Sequence, residues 1–345
     1  MSGEIFANRY LVGAELGVGG MGMVYEAQDL RTHGRVALKV LHPWLAREQD
    51  FVARLHREAE VAASIDSPRV VRILDVDFHE GRPFLVMEYL PGPTLAERIA
   101  EAGRLPWREV VAVGVEIGRA LEAAHAKRVY HRDLSPRNIK IADGQVKVLD
   151  FGIARAEGSA TITATGVVMG SMDYCAPERL GGAEINASPE ARRGDARSDI
   201  YSLGAILYEA LAGRKLFLGE HAWAIIRGHL SLEPDPLPAD VPSALAEVVL
   251  RCLRKQPAER YTTAAALVAA LQSTLSDDPH RTGAPPPVTS PAAPGPPPAT
   301  DQVTRTVAVG RAAEQAARSG SAVPTDRAAF AAESANSAAN GRRGR

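Results

Sequence analysis

The sequence predicts an α+β protein in which a strand-rich first part is followed by a longer, mostly helical second part. Between Tyr10 and Glu88, short apolar runs with the alternating period of strands are separated by turn residues and by one amphipathic helix. From Trp107 onward, long segments carry an apolar residue at every third or fourth position, which is typical of helices.

Composition narrows the class of protein. The 345 residues are 46% hydrophobic and 23% charged, which is typical of a soluble globular protein, and this length allows about two domains. The net charge of −1 gives no overall positive field for nucleic acid. Cys175 and Cys252 are too few for a disulfide framework, and neither a signal peptide nor a run of roughly 20 apolar residues is found. We therefore expect a cytoplasmic protein that neither spans a membrane nor binds nucleic acid.

A glycine-rich turn lies between two predicted strands near the N-terminus. Gly17, Gly19 and Gly22 form a G-x-G-x-x-G pattern, and glycines let backbone N–H groups approach phosphate oxygens closely. Dinucleotide-binding proteins share this pattern, but in them a helix follows. Here a second strand follows at Val24–Gln28, which favours a phosphate-binding hairpin.

A lysine lies on the next predicted strand, Val36–Lys39. An ammonium group on an apolar strand is costly without a partner, so Lys39 is either a lysine that reaches the edge of the sheet or a phosphate ligand. We favour the phosphate ligand. The amphipathic helix Asp50–Ala63 follows and offers Glu58 and Glu60 as partners for this lysine.

The rest of the sheet and the first long helix follow in order. Two more strands are predicted at Val70–Val76 and Phe84–Glu88, and Pro91-Gly92 ends the second of them. A long helix with one apolar face is then predicted at Trp107–Ala126.

The stretch Tyr130–Gly152 brings three oxygen-bearing side chains together. Asp133 lies in H-R-D-L, Asn138 follows five residues later, and Asp150 opens D-F-G. A short hairpin with a turn at Asp143-Gly144 separates them, so the loops on either side of it emerge together. A carboxylate and an amide that face a second carboxylate form an oxygen-rich site for magnesium beside a general base.

Beyond this stretch the chain alternates between loops and helices until its composition changes. A polar loop at residues 155–170 contains Thr161, Thr163 and Thr165 and precedes the A-P-E sequence at Ala176–Glu178. From Ser276 the chain is rich in proline and alanine and has no leucine or isoleucine. Such a segment buries too little apolar surface to fold, so we predict a disordered tail.

Together these motifs resemble the signature of protein kinases, and their style is similar to that of bacterial, eukaryotic-like (Hanks-type) serine/threonine kinases. The resemblance implies a bilobal protein-kinase fold over residues 8–275, with a small β-rich lobe at about 8–88, a larger helical lobe at about 92–275, and the disordered tail at 276–345. It implies ATP and Mg²⁺ as cofactors and phosphoryl transfer to Ser/Thr hydroxyls of protein substrates. It further implies autophosphorylation of the threonine-containing loop in bacterial signalling, and dimerisation would serve that step.

The resemblance also gives each motif residue a role. Lys39, held by Glu58, would grip the α- and β-phosphates; Asp133 would take or orient the proton of the attacking hydroxyl; Asn138 and Asp150 would hold magnesium. The residues expected to contact ATP are Leu16, Gly17, Val18, Gly19, Gly20, Met21, Gly22, Met23, Val24, Ala37, Lys39, Glu88 and Leu90.

Two positions depart from the family pattern. Ser135 stands where the family usually has a lysine that contacts the transferred phosphate, and Arg137 is expected to supply that cation, as a similarly placed arginine does in tyrosine kinases. Lys140 stands where an aliphatic side chain often packs under adenine, although its methylene stem can do the same.

The resemblance implies two structural contacts in the helical lobe. Arg260 is expected to form a buried ion pair with Glu178. Asp199 is expected to cap the helix that begins at Ser198 and to brace the loop that contains Asp133.

Two alternatives remain open. Because of Ser135, the chain could be a nucleotide-binding pseudokinase or scaffold, although all five principal site residues are present. A small-molecule kinase of similar fold is the other alternative. The threonine-containing loop and the A-P-E segment, which dock peptide substrates in the family, argue against it.

Overall fold

The computed structural model describes residues 1–19, 22–43, 45, 51–142, 144–151, 172–180 and 194–276, with the backbone alone at 51–54. Its strands are β1 (Ile5–Phe6), β2 (Tyr10–Gly19), β3 (Gly22–Asp29), β4 (Arg35–Leu41), β5 (Ile73–His79), β6 (Arg82–Glu88), β7 (Ile139–Ala142) and β8 (Gln145–Val148). Its helices are α1 (Phe51–Ala63), α2 (Leu95–Ala102), α3 (Trp107–Ala126), α4 (Ala196–Ala212), α5 (Ala222–Ser231), α6 (Ser243–Cys252) and α7 (Ala264–Ser276).

The first lobe is one antiparallel sheet of six strands in the order β1-β2-β3-β4-β6-β5. Val36, Leu38 and Val40 of β4 are buried in an apolar cluster with residues of β1, β2, β3 and β6. Because successive side chains of a strand point to opposite faces, Ala37 and Lys39 lie on the other face. The strand therefore presents Lys39 away from the cluster that stabilises the sheet.

One predicted strand is displaced along the chain. We expected a strand at Val70–Val76, but β5 runs from Ile73 to His79. Val70 instead bridges in parallel to Val148 of β8, and the Val71 N–H donates to the Val148 carbonyl at 3.0 Å. The apolar pattern suits both arrangements, and burial of Val70 and Val71 against the second lobe decides between them.

The second lobe is built around α3, which packs against α4 and α7. The sequence placed this helix at Trp107–Ala126, and both ends are confirmed. A Cβ atom at Gly118 would lie 2.5 Å from Cγ2 of Val268 on α7. Glycine is therefore needed there for the two helices to approach so closely.

The cap of α4 differs from expectation. Asp195, not Asp199, caps this helix: its side chain accepts from the Arg197 N–H, and the Asp195 N–H donates in turn to the Ser198 hydroxyl at 3.3 Å. The helix begins at Ala196, so Asp199 lies inside its first turn and does not cap the helix. The second predicted role of Asp199 is to brace the loop that contains Asp133, and the contacts that decide it belong to the candidate site.

Several predicted features lie outside the described residues. These are the tip of the glycine-rich turn at Gly20 and Met21, the Asp143 turn residue, the loop with Thr161, Thr163 and Thr165, and the tail from 277 onward. The exact domain boundaries stay predictions. In the part of the chain that is described, no helix combines the length and the apolar character needed to cross a membrane.

Candidate active site

The candidate site lies at one end of the β7–β8 hairpin. The cross-strand pairs Ile139–Val148 and Ile141–Val146 are buried in the core of the helical lobe and anchor the hairpin. The loop that enters β7 contains Asp133, and the loop that leaves β8 contains Asp150. The sequence predicted this arrangement, in which both loops emerge at the same end of the hairpin.

His131 links the two loops. Its Nε2 atom donates to the Leu149 carbonyl at 2.8 Å, and its Nδ1 atom accepts from the Asp133 N–H at 3.3 Å. Burial lowers the pKa of His131, so the neutral ring can donate at one nitrogen and accept at the other. The Leu149 N–H also donates to the Asn138 carbonyl at 2.8 Å. The backbones of the two loops are therefore fixed relative to each other.

Asp199 anchors the loop that contains Asp133, as predicted. It is 1% exposed and accepts from the backbone N–H groups of His131 and Arg132, each at 2.9 Å, and from Nε2 of His125 at 2.8 Å. Burial raises the pKa of Asp199, but these hydrogen bonds outweigh it and the net shift is downward. An ionised carboxylate thus anchors the turn immediately before Asp133.

Lys39 reaches from β4 across the cleft to Asp150. Its Nζ atom lies 2.8 Å from Oδ2 of Asp150, and the two side chains are 12% and 26% exposed. Asp150 has a φ of 56°, in the left-handed region that costs energy for a residue with a Cβ atom. Strained backbone of this kind persists where the surroundings enforce it, and it turns the carboxylate toward the cleft.

The carboxylate of Asp150 fits a metal ion. Its Oδ1 atom is buried and, within the described residues, has no hydrogen-bond partner. Asn138 Nδ2 donates to the Asp133 carbonyl at 2.9 Å, which leaves the amide oxygen of Asn138 as an acceptor. A buried carboxylate oxygen without a donor and a nearby amide oxygen suit a hard cation such as magnesium.

The three glycines of the turn differ in whether neighbouring atoms leave space for a side chain. A Cβ atom at Gly22 would lie 2.0 Å from the Val40 carbonyl oxygen, so packing of β3 on β4 excludes any side chain. A Cβ atom at Gly17 would meet nothing within 4 Å, and one at Gly19 only the Gly22 carbonyl oxygen at 3.7 Å. Nothing in the described chain requires glycine at these two positions, which fits the close approach of a ligand.

A small apolar cluster lies next to this hairpin, between the sheet and β8. Its buried residues are Ala37, Val71 and Met87, and the partly buried Val24, Leu90 and Leu149 pack against them. Within the described residues, neither the N–H nor the carbonyl of Leu90 makes a backbone hydrogen bond. Apolar side chains beside an unpaired backbone N–H and carbonyl suit the binding of a flat purine base.

That the residues named above contact ATP stays a prediction. The structure places three of them, Val24, Ala37 and Leu90, in this cluster, whereas Leu16 and Val18 are exposed on the glycine-rich hairpin. Sequence reasoning did not single out Val71 and Leu149, which belong to the same cluster. Leu149 had a signal, because it immediately precedes Asp150 and alternates with the buried Val148.

The remaining predicted residues lie around these groups. Glu58 is half-buried on α1, and its pairing with Lys39 stays a prediction. Ser135 is 5% exposed, whereas Arg137 is exposed. The charge of Arg137 acts on the nearby Tyr174 hydroxyl, whose pKa is raised mainly by burial.

Comparison with known proteins identifies the family and the relatives that this chain resembles. The profile of the protein kinase domain family matches residues 10–271. A probable serine/threonine-protein kinase of Clostridium acetobutylicum is 37% identical over 268 residues, which cover 76% of this chain and 39% of that protein. The serine/threonine-protein kinase PknB of Mycolicibacterium smegmatis is 39% identical over 275 residues, which cover 77% of this chain and 43% of that protein. The chain thus spans less than half the length of these two relatives.

A solved structure gives the same result for the fold. The crystal structure of the Mycobacterium tuberculosis PknI kinase domain is similar with a TM-score of 0.62 and 29% sequence identity. The match covers 80% of this chain and 99% of that one. The expected bilobal fold, with a strand-rich first lobe and a helical second lobe, is confirmed.

Proposed function

Because this chain belongs to the protein kinase family, we propose that it transfers the γ-phosphoryl group of ATP to serine and threonine hydroxyls of proteins. The observation that carries the proposal is the contact between Lys39 and Asp150 across the cleft, with Nζ and Oδ2 2.8 Å apart. It joins a cation of the sheet to an acidic group at the end of the hairpin, beside a small apolar cluster, and phosphate binding and metal binding together need such an arrangement.

Different groups of the chain bind different parts of the nucleotide. The purine packs against the apolar cluster, and the backbone of Leu90 binds its edge. The glycine-rich hairpin covers the phosphates, and Lys39 binds the α- and β-phosphates, with Glu58 as its second partner. Asp150 and Asn138 would hold magnesium, which when bound neutralises charge on the phosphate oxygens.

Asp133 accepts or orients the proton of the attacking hydroxyl. Its backbone is fixed on both sides, since its N–H donates to His131 and its carbonyl accepts from Asn138. A base that is held in place before substrate binds loses little entropy in the reaction. Arg137, which is exposed one residue before Asn138, supplies the cation that contacts the transferred phosphate.

We extend the proposal to the setting of the enzyme. Protein substrates with serine or threonine, autophosphorylation of the 155–170 loop, dimerisation for that step and a role in bacterial signalling all follow from the same assignment. Neither Cys175 nor Cys252 forms a disulfide, and Cys252 is fully buried. Both thiols suit the reducing cytoplasm, where ATP is abundant.

The test is phosphoryl transfer by the full chain. Wild-type protein, γ-labelled ATP, Mg²⁺ and casein are incubated together, and labelled residues are identified after hydrolysis. We expect phosphoserine and phosphothreonine, and we expect Asp133→Asn to retain ATP binding while transfer falls about 10²–10⁴-fold.

Each alternative gives a different outcome. Wild-type protein that binds ATP but labels neither itself nor casein would be a pseudokinase, the alternative that Ser135 motivates. ATP consumption that needs a small-molecule acceptor and labels no protein would indicate a small-molecule kinase. An Asp133→Asn variant as active as wild type would remove Asp133 from its role as base.

A further inference from the structure

Lys147, on β8, has no part in the function proposed above, yet it joins the helical lobe to the sheet. It lies three residues before Asp150. Its Nζ atom lies 2.6 Å from Oε1 of Glu88, the last residue of β6. The two side chains are 13% and 16% exposed, so the ion pair is mostly shielded from water. Such shielding makes the attraction between the two charges stronger than it is at the surface.

The carboxylate of Glu88 is ordered by other contacts as well. The Glu88 N–H donates to the Arg72 carbonyl at 3.0 Å, and its Oε1 atom accepts from the Arg72 N–H at 2.9 Å. Both contacts join β6 to the residue that precedes β5. Because these contacts already order the carboxylate, the ion pair with Lys147 costs little additional side-chain entropy. Lys147 therefore has a partner that is fixed to the sheet.

The two residues that follow Lys147 contact the same side of the molecule. Val148 donates its N–H to the Arg69 carbonyl at 2.8 Å, and its carbonyl accepts from the Val71 N–H at 3.0 Å. Leu149 packs against the small apolar cluster beside the sheet. Each residue from Lys147 to Leu149 is thus bound to the chain between α1 and the end of β6.

Asp150 is the last residue of this segment, 147–150. Its carboxylate lies 2.8 Å from Nζ of Lys39 on β4, and its backbone has a positive φ of 56°. A residue in that conformation depends on its neighbours to hold it there. The ion pair of Lys147 fixes the beginning of the segment, and it therefore limits how far Asp150 can move relative to the sheet.

We propose that Lys147 is a positioning residue, which through its ion pair with Glu88 holds segment 147–150 where Asp150 faces the metal site. This inference rests on the proposed function, in which Asp150 holds magnesium. Lys147 itself contacts neither the nucleotide nor the metal, and it acts through the backbone of the two residues between it and Asp150. Its loss weakens the binding of the metal more than the binding of the protein substrate.

The first test removes the cation in the full chain and measures how phosphoryl transfer depends on free Mg²⁺ at saturating ATP. Lys147→Met keeps an unbranched side chain and removes the charge. We expect the Mg²⁺ concentration at half-maximal rate to rise about fivefold, while KM for casein stays within about twofold. Lys147→Arg can still bind the carboxylate and should restore the wild-type Mg²⁺ dependence.

A second readout does not depend on activity. Amide hydrogen exchange of the ligand-free chain reports how firmly segment 147–150 is held. The N–H groups of Val148 and Leu149 are hydrogen-bonded, and in Lys147→Met we expect both to exchange faster than in wild type. The amides of α3, in the core of the helical lobe, should keep the wild-type rate. Equally faster exchange in α3 would indicate a loss of overall stability and would overturn the positioning role.

A double-mutant cycle tests the ion pair itself. Glu88→Gln removes the negative charge and keeps an oxygen for the Arg72 N–H. It should raise the half-maximal Mg²⁺ concentration in the wild-type background, and change it less than about twofold in the Lys147→Met background. Arg72→Met is the matched control, because its guanidinium lies 3.8 Å from the same carboxylate and is 75% exposed. It should leave the Mg²⁺ dependence at the wild-type value.

The outcomes separate this inference from the proposed function. Wild-type protein that transfers phosphate, together with an unchanged Mg²⁺ dependence in Lys147→Met, would overturn the positioning role and leave the kinase assignment standing. Faster transfer by Lys147→Met would also overturn it, because the ion pair would then restrain the two lobes and not position Asp150. Wild-type protein that transfers no phosphate would overturn the proposed function and, with it, this inference.

Discussion

Arg260 and Glu178 form a bidentate ion pair between two segments that are 82 residues apart in the chain. Nη1 lies 2.9 Å from Oε1 and Nη2 lies 2.8 Å from Oε2, and the two residues are 1% and 5% exposed. The guanidinium also donates to the carbonyls of Arg254, Arg197 and Lys255. The sequence predicted this pair, and the structure confirms it with every guanidinium nitrogen bonded.

Breaking this pair should cost more than breaking an exposed one. Arg260→Met leaves the Glu178 carboxylate buried without its cation, so we expect the free energy of unfolding to fall by about 3–5 kcal/mol in urea titrations. Arg104→Met is the control, because the Arg104–Asp240 pair is 48% and 62% exposed, and we expect it to change the free energy of unfolding far less than Arg260→Met does. Equal losses in the two variants would show that Arg260 does not act through burial of the pair.

The glycine-rich turn should respond differently at its two ends. Gly22→Ala places a methyl group against the Val40 carbonyl, so we expect a loss of about 1–3 kcal/mol in the free energy of unfolding. Gly17→Ala meets open space and should leave the melting temperature unchanged while it raises KM for ATP. If Gly17→Ala alters stability and leaves KM alone, its role is structural and not ligand binding.

A buried histidine in the helical lobe should make stability depend on pH. His229 is 0% exposed, and its Nδ1 atom lies 2.9 Å from the Tyr201 hydroxyl. Burial, with a smaller contribution from Lys255, lowers the pKa of His229 from 6.5 to about 4, while Asp173 opposes the shift. Below pH 6.5 the unfolded chain takes up this proton before the folded chain does, so stability falls as the pH falls toward 4.

The size of the effect follows from the shift. A difference of about 2.5 pKa units corresponds to about 3 kcal/mol between pH 6.5 and 4. We expect urea titrations across this range to show a shallower slope for His229→Phe than for wild type. His221→Gln, at an exposed histidine, should keep the wild-type slope. A His229→Phe variant with an unchanged slope would assign the pH dependence to other groups, of which His131 is the first candidate because burial lowers its pKa as well.

How far the sequence predicts this protein depends on whether a feature is local. Asp133, Asn138 and Asp150 could be placed together because a short hairpin with a clear turn signal joins them. Val70 and Val71 could not be assigned correctly, because their apolar pattern suits a sheet edge as well as the contact with Val148 that the structure has. That choice depends on a partner 78 residues away in the sequence.

In the candidate site, too, local features could be predicted from the sequence and long-range contacts could not. The glycine pattern predicted phosphate binding, but only the structure separates Gly22, which β4 requires, from Gly17, which no neighbour requires. The contact of Lys39 with Asp150 was not predicted, because the sequence favoured Glu58 as the partner of Lys39. A contact across the cleft depends on how the two lobes are arranged, and a local sequence pattern does not predict that arrangement.

The unusual sequence after Asp133 gives a kinetic prediction. If Arg137 supplies the cation for the transferred phosphate, Arg137→Ala should lower kcat far more than it raises KM for ATP. A lysine at the usual place, Ser135→Lys, should restore much of kcat in the Arg137→Ala background. Because Ser135 is 5% exposed, the melting temperature of that double variant must be measured alongside. Undiminished kcat in Arg137→Ala would leave this departure from the family without a compensating group.

The last prediction concerns Thr163 and Thr165, which lie outside the described residues. Arg132, in the turn before Asp133, is anchored by its N–H to Asp199 at 2.9 Å, and a guanidinium nitrogen of Arg179 donates to the Arg132 carbonyl. Two arginines thus meet beside the segment that follows the threonine-containing loop. A phosphate carries about −1.5 to −2 charges and three acceptor oxygens, so it can bind such a pair and order the loop that seats Asp150.

We therefore expect autophosphorylation at Thr163 or Thr165, with activity rising as phosphate accumulates. Mass spectrometry of the wild-type chain before and after incubation with ATP locates the phosphate, and the activity of a Thr163→Ala, Thr165→Ala double variant measures its effect. Thr161→Ala, two residues away in the same loop, is the matched control and should keep the rise in activity. Full activity in the double variant, together with a wild-type loop that carries no phosphate, would refute the switch and leave the proposed phosphoryl transfer itself untouched.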